Sequence, residues 1–136
     1  MDRYLGRYSA YVYAILRIVS GFIFVLYGTQ KLFGYPPGPP GMKAGPLSTL
    51  LIVAAIIELV GGLMIMFGFF AGLAAFIASG EMAVAYFMVS QPNALWPPSN
   101  NGTAAVLFCF VFLYIAARGS GVWSIDGLRG AGPTSV

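Results

Sequence analysis

Residues 47–67, with the sequence LSTLLIVAAIIELVGGLMIMF, carry one formal charge, Glu58. A helix needs about 20 residues to cross the hydrocarbon core of a bilayer, which is about 30 Å thick. Residues 70–89, FAGLAAFIASGEMAVAYFMV, form a segment of similar length that also carries one formal charge, Glu81. Because only a few residues separate the two segments, they predict two transmembrane helices that form an antiparallel hairpin.

Two further apolar segments flank this hairpin, at 11–33 and 102–118. The connections at 34–46 and 90–101 are rich in proline, which interrupts regular helices. The alternation typical of strands is absent, and an open sheet edge is not stable in lipid. We therefore predict an all-α polytopic membrane protein, a four-transmembrane-helix bundle. It forms a single domain over 1–136, with helices at about 11–33, 47–67, 70–89 and 102–118 and a tail at 119–136.

The composition restricts the chemistry of the chain. Of 136 residues, 59% are hydrophobic and 8% are charged, whereas a soluble domain carries about 25% charged residues. There is no histidine and one cysteine, Cys109, which excludes an internal disulfide, a CxxC pair, histidine-ligated haem and the usual zinc sites. The basic residues are scattered, which argues against nucleic-acid binding. We predict no metal site.

The short hairpin joint also predicts the topology. It places both proline-rich loops on one side of the membrane and both termini on the other. The side of the termini holds four arginines and the loop side two lysines: Arg3, Arg7, Arg118 and Arg129 against Lys31 and Lys43. Since lysine and arginine favour the cytoplasmic side, both termini are predicted to be cytoplasmic.

Three charged residues lie deep within the predicted helices: Arg17, Glu58 and Glu81. A charge at that depth costs roughly 2.5–3.5 kcal/mol on insertion scales, so such groups face a bundle interior or a wet cavity. Counted from the predicted helix ends, Arg17 lies about 9 Å and Glu58 about 13–14 Å from one membrane face, with Glu81 about 16 Å deep. These depths predict a buried ion pair between Arg17 and Glu58 and leave Glu81 without a full partner.

These charged residues have two interpretations. They can form a polar clasp that fixes helix register, since buried ion pairs can serve specificity without adding stability. Alternatively, one carboxyl group exchanges protons or contacts a ligand. Glu81 is then the candidate catalytic residue, and Arg17 and Glu58 are candidate ligand-binding residues. Gln30 and Lys31, near the outer helix ends, are further ligand-binding candidates, although Lys31 is predicted to reach the lipid headgroups.

The charged residues stand in a recognisable pattern. It reads Arg17-x3-Gly21-x2-Phe24-x3-Gly28-x2-Lys31-Leu32-Phe33-Gly34, followed by Glu58-x2-Gly61-Gly62. Together with EMAVAYF at 81–87 and ARGSGVWSID at 117–126, it resembles the DoxX family of small four-helix bacterial membrane proteins. The resemblance covers nearly the whole chain. Members often carry a histidine near 90–92, and this chain has none.

The resemblance implies an integral subunit or accessory protein of a quinone-linked redox system, of the thiosulfate- or thiol-oxidising type, in the bacterial cytoplasmic (inner) membrane. No nucleotide loop or flavin fingerprint is present, so this chain alone is expected to bind no cofactor. Another membrane or membrane-associated protein is expected to carry the redox cofactor, and a quinone is the implied ligand. Two alternatives remain open: a small proton-coupled transporter that uses the same carboxyl groups, and a structural subunit of a larger membrane complex.

Overall fold

A computed structural model of the protein describes residues 2–35, 37, 48–100 and 102–128. Within these ranges most residues are helical and no strand occurs. The long helices are helix one (Ser9–Phe33), helix two (Thr49–Phe67), helix three (Ala71–Ala85) and helix four (Thr103–Arg118). The predicted all-α fold is confirmed.

Three helical segments are long and apolar enough to cross a membrane: Arg3–Phe33, Thr49–Phe67 and Ala71–Asn93. Helix four is apolar but has 16 residues, which extend about 24 Å at 1.5 Å per residue. That is slightly less than the hydrocarbon core of about 30 Å. These lengths agree with a polytopic membrane bundle in which the last of the four apolar helical segments is the shortest.

Helix two begins and ends at residues suited to those positions. The Ser48 hydroxyl accepts a hydrogen bond from the Leu51 N–H at 3.2 Å, which caps the first turn. Gly68 adopts φ 70° and donates its N–H to the Ile65 carbonyl at 3.2 Å, as glycine commonly does after a helix end. Helix three follows at Ala71, so the joint is as short as the sequence predicts.

Helix three leaves the α-helical path at Ala85, before the predicted end at 89. It continues as a π-helical turn, Tyr86–Ser90, and a 3-10 turn, Gln91–Asn93. Pro92 has no N–H to donate to the Met88 carbonyl, as an α-helix would require. A regular α-helix could therefore not continue through Pro92.

Small residues set the contact between helices one and two. A Cβ atom on Gly21 would lie 2.6 Å from the Met66 nitrogen, and one on Gly28 would lie 2.7 Å from the Leu59 nitrogen. Side chains there would force the backbones apart, so the glycines permit the close approach of these two helices. Helix two also packs on helix three, and helix three on helix four, whereas helices one and four touch each other little.

The chain after helix four turns back onto the end of the bundle that carries the N-terminus. A short helix, Ile125–Leu128, lies beside the hairpin joint, and the Asp126 N–H donates to the Gly68 carbonyl at 3.0 Å. The tail is therefore docked as far as Leu128. Lys43 and Arg129, which contribute to the topology prediction, lie outside the described residues.

Candidate functional site

The carboxylate of Glu58 is paired with the ammonium group of Lys31. Glu58 is 1% exposed. Lys31 Nζ donates to both carboxylate oxygens, with 2.7 Å to Oε2. Lys31 therefore turns into the bundle instead of reaching the headgroups, so the prediction for its side chain is wrong.

The predicted pair between Arg17 and Glu58 is also wrong. Arg17 Nε donates to the Ile65 carbonyl at 3.0 Å, which places Arg17 level with the last turns of helix two. Ile65 lies about 10 Å along helix two from Glu58 at 1.5 Å per residue. The depth estimate fails because it treats the helix ends as flush, whereas helix one begins well beyond the end of helix two.

Glu81, on helix three, completes a buried cluster with this pair, which we call the Lys–Glu–Glu cluster. Its carboxyl group interacts electrostatically with Glu58 and Lys31. Both of its oxygens are buried, and neither makes a hydrogen bond of ordinary geometry with a described residue, although the carboxyl group lies close to that of Glu58. Two acids therefore share one cation, as the sequence predicts, but that cation is Lys31 and not Arg17.

A cavity of about 450 Å³ opens beside the cluster, between helices two and three. Lys31 and Glu81 are the charged residues of its wall, and the rest of the wall is almost entirely apolar. Val53, Ile77 and Val84 on that wall are 48%, 49% and 53% exposed, so in a bilayer this side faces lipid. We call it the lateral cavity. Its shape suits a molecule with an apolar body and a polar head that meets the cluster.

The wall of the lateral cavity includes Gly80. A Cβ atom built on Gly80 would meet no atom within 4 Å. The position can therefore accept a larger side chain that fills the cavity without displacing backbone.

Arg17 organises the opposite end of the bundle. It is 0% exposed, and its guanidinium group donates to the carbonyls of Ser120, Val122 and Trp123 as well as to that of Ile65. The distances to Val122 and Trp123 are 2.9 and 2.7 Å. Arg17 thus ties the returning tail to the end of helix two and lies away from the Lys–Glu–Glu cluster.

Asp126 holds the same tail from its other side. Its Oδ2 accepts hydrogen bonds from the Phe70 N–H at 2.8 Å and from the Ser120 hydroxyl at 2.7 Å. We call Arg17, Ser120 and Asp126 the tail clasp. Sequence reasoning missed the roles of Ser120 and Asp126, although both lie in the segment 117–126 that carries the family pattern.

Gln30 does not join either cluster. It is half-buried, and its backbone carbonyl accepts the Gly34 N–H at 3.0 Å. Its side chain does not line the lateral cavity. Its assignment as a ligand-binding residue stays a prediction. Among the residues described, no group of three or more aspartate, glutamate or cysteine side chains is arranged to hold a metal ion.

The fold and the cluster define a class: a small polytopic membrane protein with a buried charged group beside a lipid-facing cavity. The sequence profile of the DoxX family matches residues 12–91, a region that contains Arg17 and all of the Lys–Glu–Glu cluster. The chain belongs to the DoxX family.

A relative from Haemophilus influenzae, described as an uncharacterized protein, is 38% identical over 125 residues, which covers 90% of this chain and 93% of the relative. No solved structure matches the chain.

Proposed function

We propose that the chain is an accessory subunit of a quinone-linked redox system in the bacterial inner membrane, and that the lateral cavity binds the quinone head. The observation that carries this proposal is the presence of Lys31 and Glu81 in the wall of a cavity whose exposed wall is otherwise apolar. At about 450 Å³, the cavity lies within the usual range of small-molecule sites.

The chemistry of a quinone fits this arrangement. Its ring is flat and apolar and carries two carbonyl oxygens, and its tail is soluble in lipid. The Lys31 ammonium group can donate to one carbonyl while the tail leaves between helices two and three. Glu81 is the candidate proton donor, because its carboxyl oxygens are buried and lack hydrogen-bond partners among the described residues. Intramembrane acids of this kind commonly mark proton or ligand pathways.

Reduction of a quinone to a quinol takes two electrons and two protons. We assign the electrons to a partner protein with its own redox cofactor, which oxidises two thiosulfate ions to tetrathionate or two thiols to a disulfide. Glu81 gives its proton to one quinone oxygen and takes up another from water before the second transfer. Histidine is not needed in this scheme, which suits a chain that has none.

The binding step is tested with protein purified in mild detergent. A short-chain ubiquinone analogue is titrated against the wild type and Gly80→Leu, which fills the lateral cavity and keeps all three charges. Leu73→Phe is the matched control, because Leu73 is on helix three, 63% exposed and absent from the cavity wall. We expect Gly80→Leu to lose binding and Leu73→Phe to keep it. Equal binding by both variants would reject the quinone site.

The protonation step is tested with Glu81→Gln, which keeps the shape of the side chain and removes the titrating group. In a complementation assay we expect a folded protein without activity. A folded and fully active Glu81→Gln variant would reject the proton-exchange role and favour a structural subunit.

A proton-coupled transporter is the second candidate, because a buried acid without hydrogen-bond partners also suits a carrier of protons. Mass spectrometry of co-purifying proteins separates the two functions. A redox enzyme that co-purifies with the chain supports the accessory subunit. Quinone-independent proton uptake by reconstituted vesicles that contain this chain alone supports the transporter.

A further inference from the structure

The lateral cavity lies in the half of the bundle next to the proline-rich loops. Along helix two its wall runs from Leu50 to Ile57, and along helix three and the turn after it from Ile77 to Ser90. No residue of 58–67 or 71–76, the half next to the hairpin joint, lines it. The cavity therefore extends from the middle of the bundle toward the loop side, and not toward the side of the termini.

The wall of the cavity reaches the loop-side ends of three helices. Leu50 is the second residue of helix two, and Ser90 ends the π-helical turn that follows helix three. Lys31 lies about 3 Å from the end of helix one at 1.5 Å per residue. The ends of transmembrane helices meet the hydrated headgroup region. The cavity therefore has a mouth at the level where water is available.

Polar side chains accompany the cavity from this mouth to the buried acid. Ser90, Lys31 and Glu81 all line it. The Lys31 side chain is 32% exposed, whereas that of Glu58 is 1% exposed, so Lys31 is the more accessible member of that ion pair. A buried water molecule needs about two to four polar partners. These three side chains supply such partners, and protons move along the hydrogen bonds that water makes.

An apolar layer separates the Lys–Glu–Glu cluster from the side of the termini. All four long helices contribute to it with residues that are 0% exposed: Phe24, Ile65, Ala75, Ala78 and Phe112. The rings of Phe24 and Phe112 lie 4.7 Å apart between centres, and interiors packed in this way have few voids that hold water. Beyond the layer, the tail clasp closes the bundle, with Arg17 about 21 Å from Lys31 along helix one.

We propose that the lateral cavity opens to solvent on the loop side and that Glu81 exchanges its protons with that side alone. Among the described residues, the charged groups that face Glu81 are Lys31 from helix one and Glu58 from helix two. Helix four carries its one charged residue, Arg118, at the opposite end. A proton from loop-side water reaches the Glu81 carboxylate, and each proton that Glu81 gives to the quinone is replaced by the same route.

This inference rests on the proposed function for the role of Glu81 and adds the side from which the protons come. With the predicted topology, the loop side is the outside of the inner membrane. Reduction of the quinone at this site then consumes no cytoplasmic protons.

The test labels single cysteines with a membrane-impermeant methanethiosulfonate that carries a sulfonate group. Each cysteine is introduced together with Cys109→Ala, which removes the native thiol. Gly80→Cys places the probe in the cavity wall, at a position where a new Cβ meets no atom within 4 Å, and keeps all three charges of the cluster. Because the thiolate is the reacting form, labelling requires contact with water. Right-side-out and inside-out membrane vesicles are compared by mass spectrometry of the labelled protein.

Two exposed positions mark the two sides without reference to the predicted topology. Leu95→Cys, 66% exposed, marks the loop side, and Leu128→Cys, 90% exposed, marks the side of the termini. We expect Gly80→Cys to react in the vesicles in which Leu95→Cys reacts and to stay unlabelled where only Leu128→Cys reacts. The matched control is Ala78→Cys, on the same helix but 0% exposed, which should react in neither preparation.

A plug at the mouth tests the route itself. Ser90→Trp combined with Gly80→Cys should lose the labelling from the loop side, whereas Leu95→Cys with the same plug should keep it. The proposal is overturned if Gly80→Cys reacts from the side of Leu128→Cys, from both sides or from neither, if Ala78→Cys reacts as fast, or if the plug has no effect. None of these results depends on a quinone, so they are distinct from a failure of the quinone site, which the titration of Gly80→Leu detects.

Discussion

The pairing of Lys31 with Glu58 leads to a quantitative prediction for two substitutions and their combination. Lys31→Met removes the cation and leaves Glu58, which is 1% exposed, without its partner. Glu58→Gln leaves Lys31, whose side chain is 32% exposed and whose long stem can turn toward the headgroups. The two losses should therefore be unequal, although both break the same ion pair.

The magnitudes follow from this difference in burial. Removing one partner of a buried ion pair costs about 3–5 kcal/mol in soluble cores. We expect about 3 kcal/mol for Lys31→Met and about 1 kcal/mol for Glu58→Gln, because only the first change strands a buried charge. The double variant should lose about 1 kcal/mol, which gives a coupling energy of about 3 kcal/mol.

The chain supplies its own probe of unfolding. Its one cysteine, Cys109, is half-buried on helix four, so reaction with a thiol-specific fluorescent dye reports loss of the fold. Unfolding with denaturant in mixed micelles then yields the free energy of unfolding of each variant. The wild type and the three variants are compared at the same lipid-to-detergent ratio.

A second double-mutant cycle, with Arg17 in place of Lys31, provides the matched control. Arg17→Met should also destabilise the bundle, because the carbonyls of Ile65 and Trp123 lose a buried donor. Combined with Glu58→Gln, however, it should be additive within about 0.5 kcal/mol, as is usual for residues that do not touch. Coupling in the Arg17 cycle together with additivity in the Lys31 cycle would refute the described helix register.

Three further predictions concern the joint, the tail and the topology. Gly68→Ala should destabilise the protein by at least about 1–2 kcal/mol, because Gly68 has φ 70° and a new Cβ would clash with the Cβ of Ser124. Gly80→Ala, the open-position control, should instead be neutral or stabilising by up to about 1 kcal/mol, and equal losses would contradict the docked tail. Asp126→Asn should accelerate hydrogen exchange at 119–128 by weakening the tail clasp, and unchanged exchange would show that Asp126 does not hold the tail. A reporter that is active only outside the inner membrane should stay silent when fused after Val136, whereas strong activity would reverse the predicted topology.

The helices of this protein are largely predictable from the sequence, because the signals are local. An apolar run of about 20 residues has few alternatives to a transmembrane helix. The presence of Glu58 and Glu81 in such runs also indicates a polar interior, since a charge facing lipid is costly. The close contact at Gly21 and Gly28 is also foreseeable, because small residues at helical spacing mark helix–helix interfaces.

The partners of the buried charges are decided only in three dimensions. Depth counted from helix ends pairs Arg17 with Glu58, but the contact of Gly21 with Gly62 and Met66 shifts helix one along helix two. That shift brings Lys31 to Glu58 and leaves Arg17 to the carbonyls of the returning tail. Hydropathy and length determine that a helix crosses the membrane. Its register against a neighbour depends on which small residues meet, and this is a property of two surfaces and not of either segment alone.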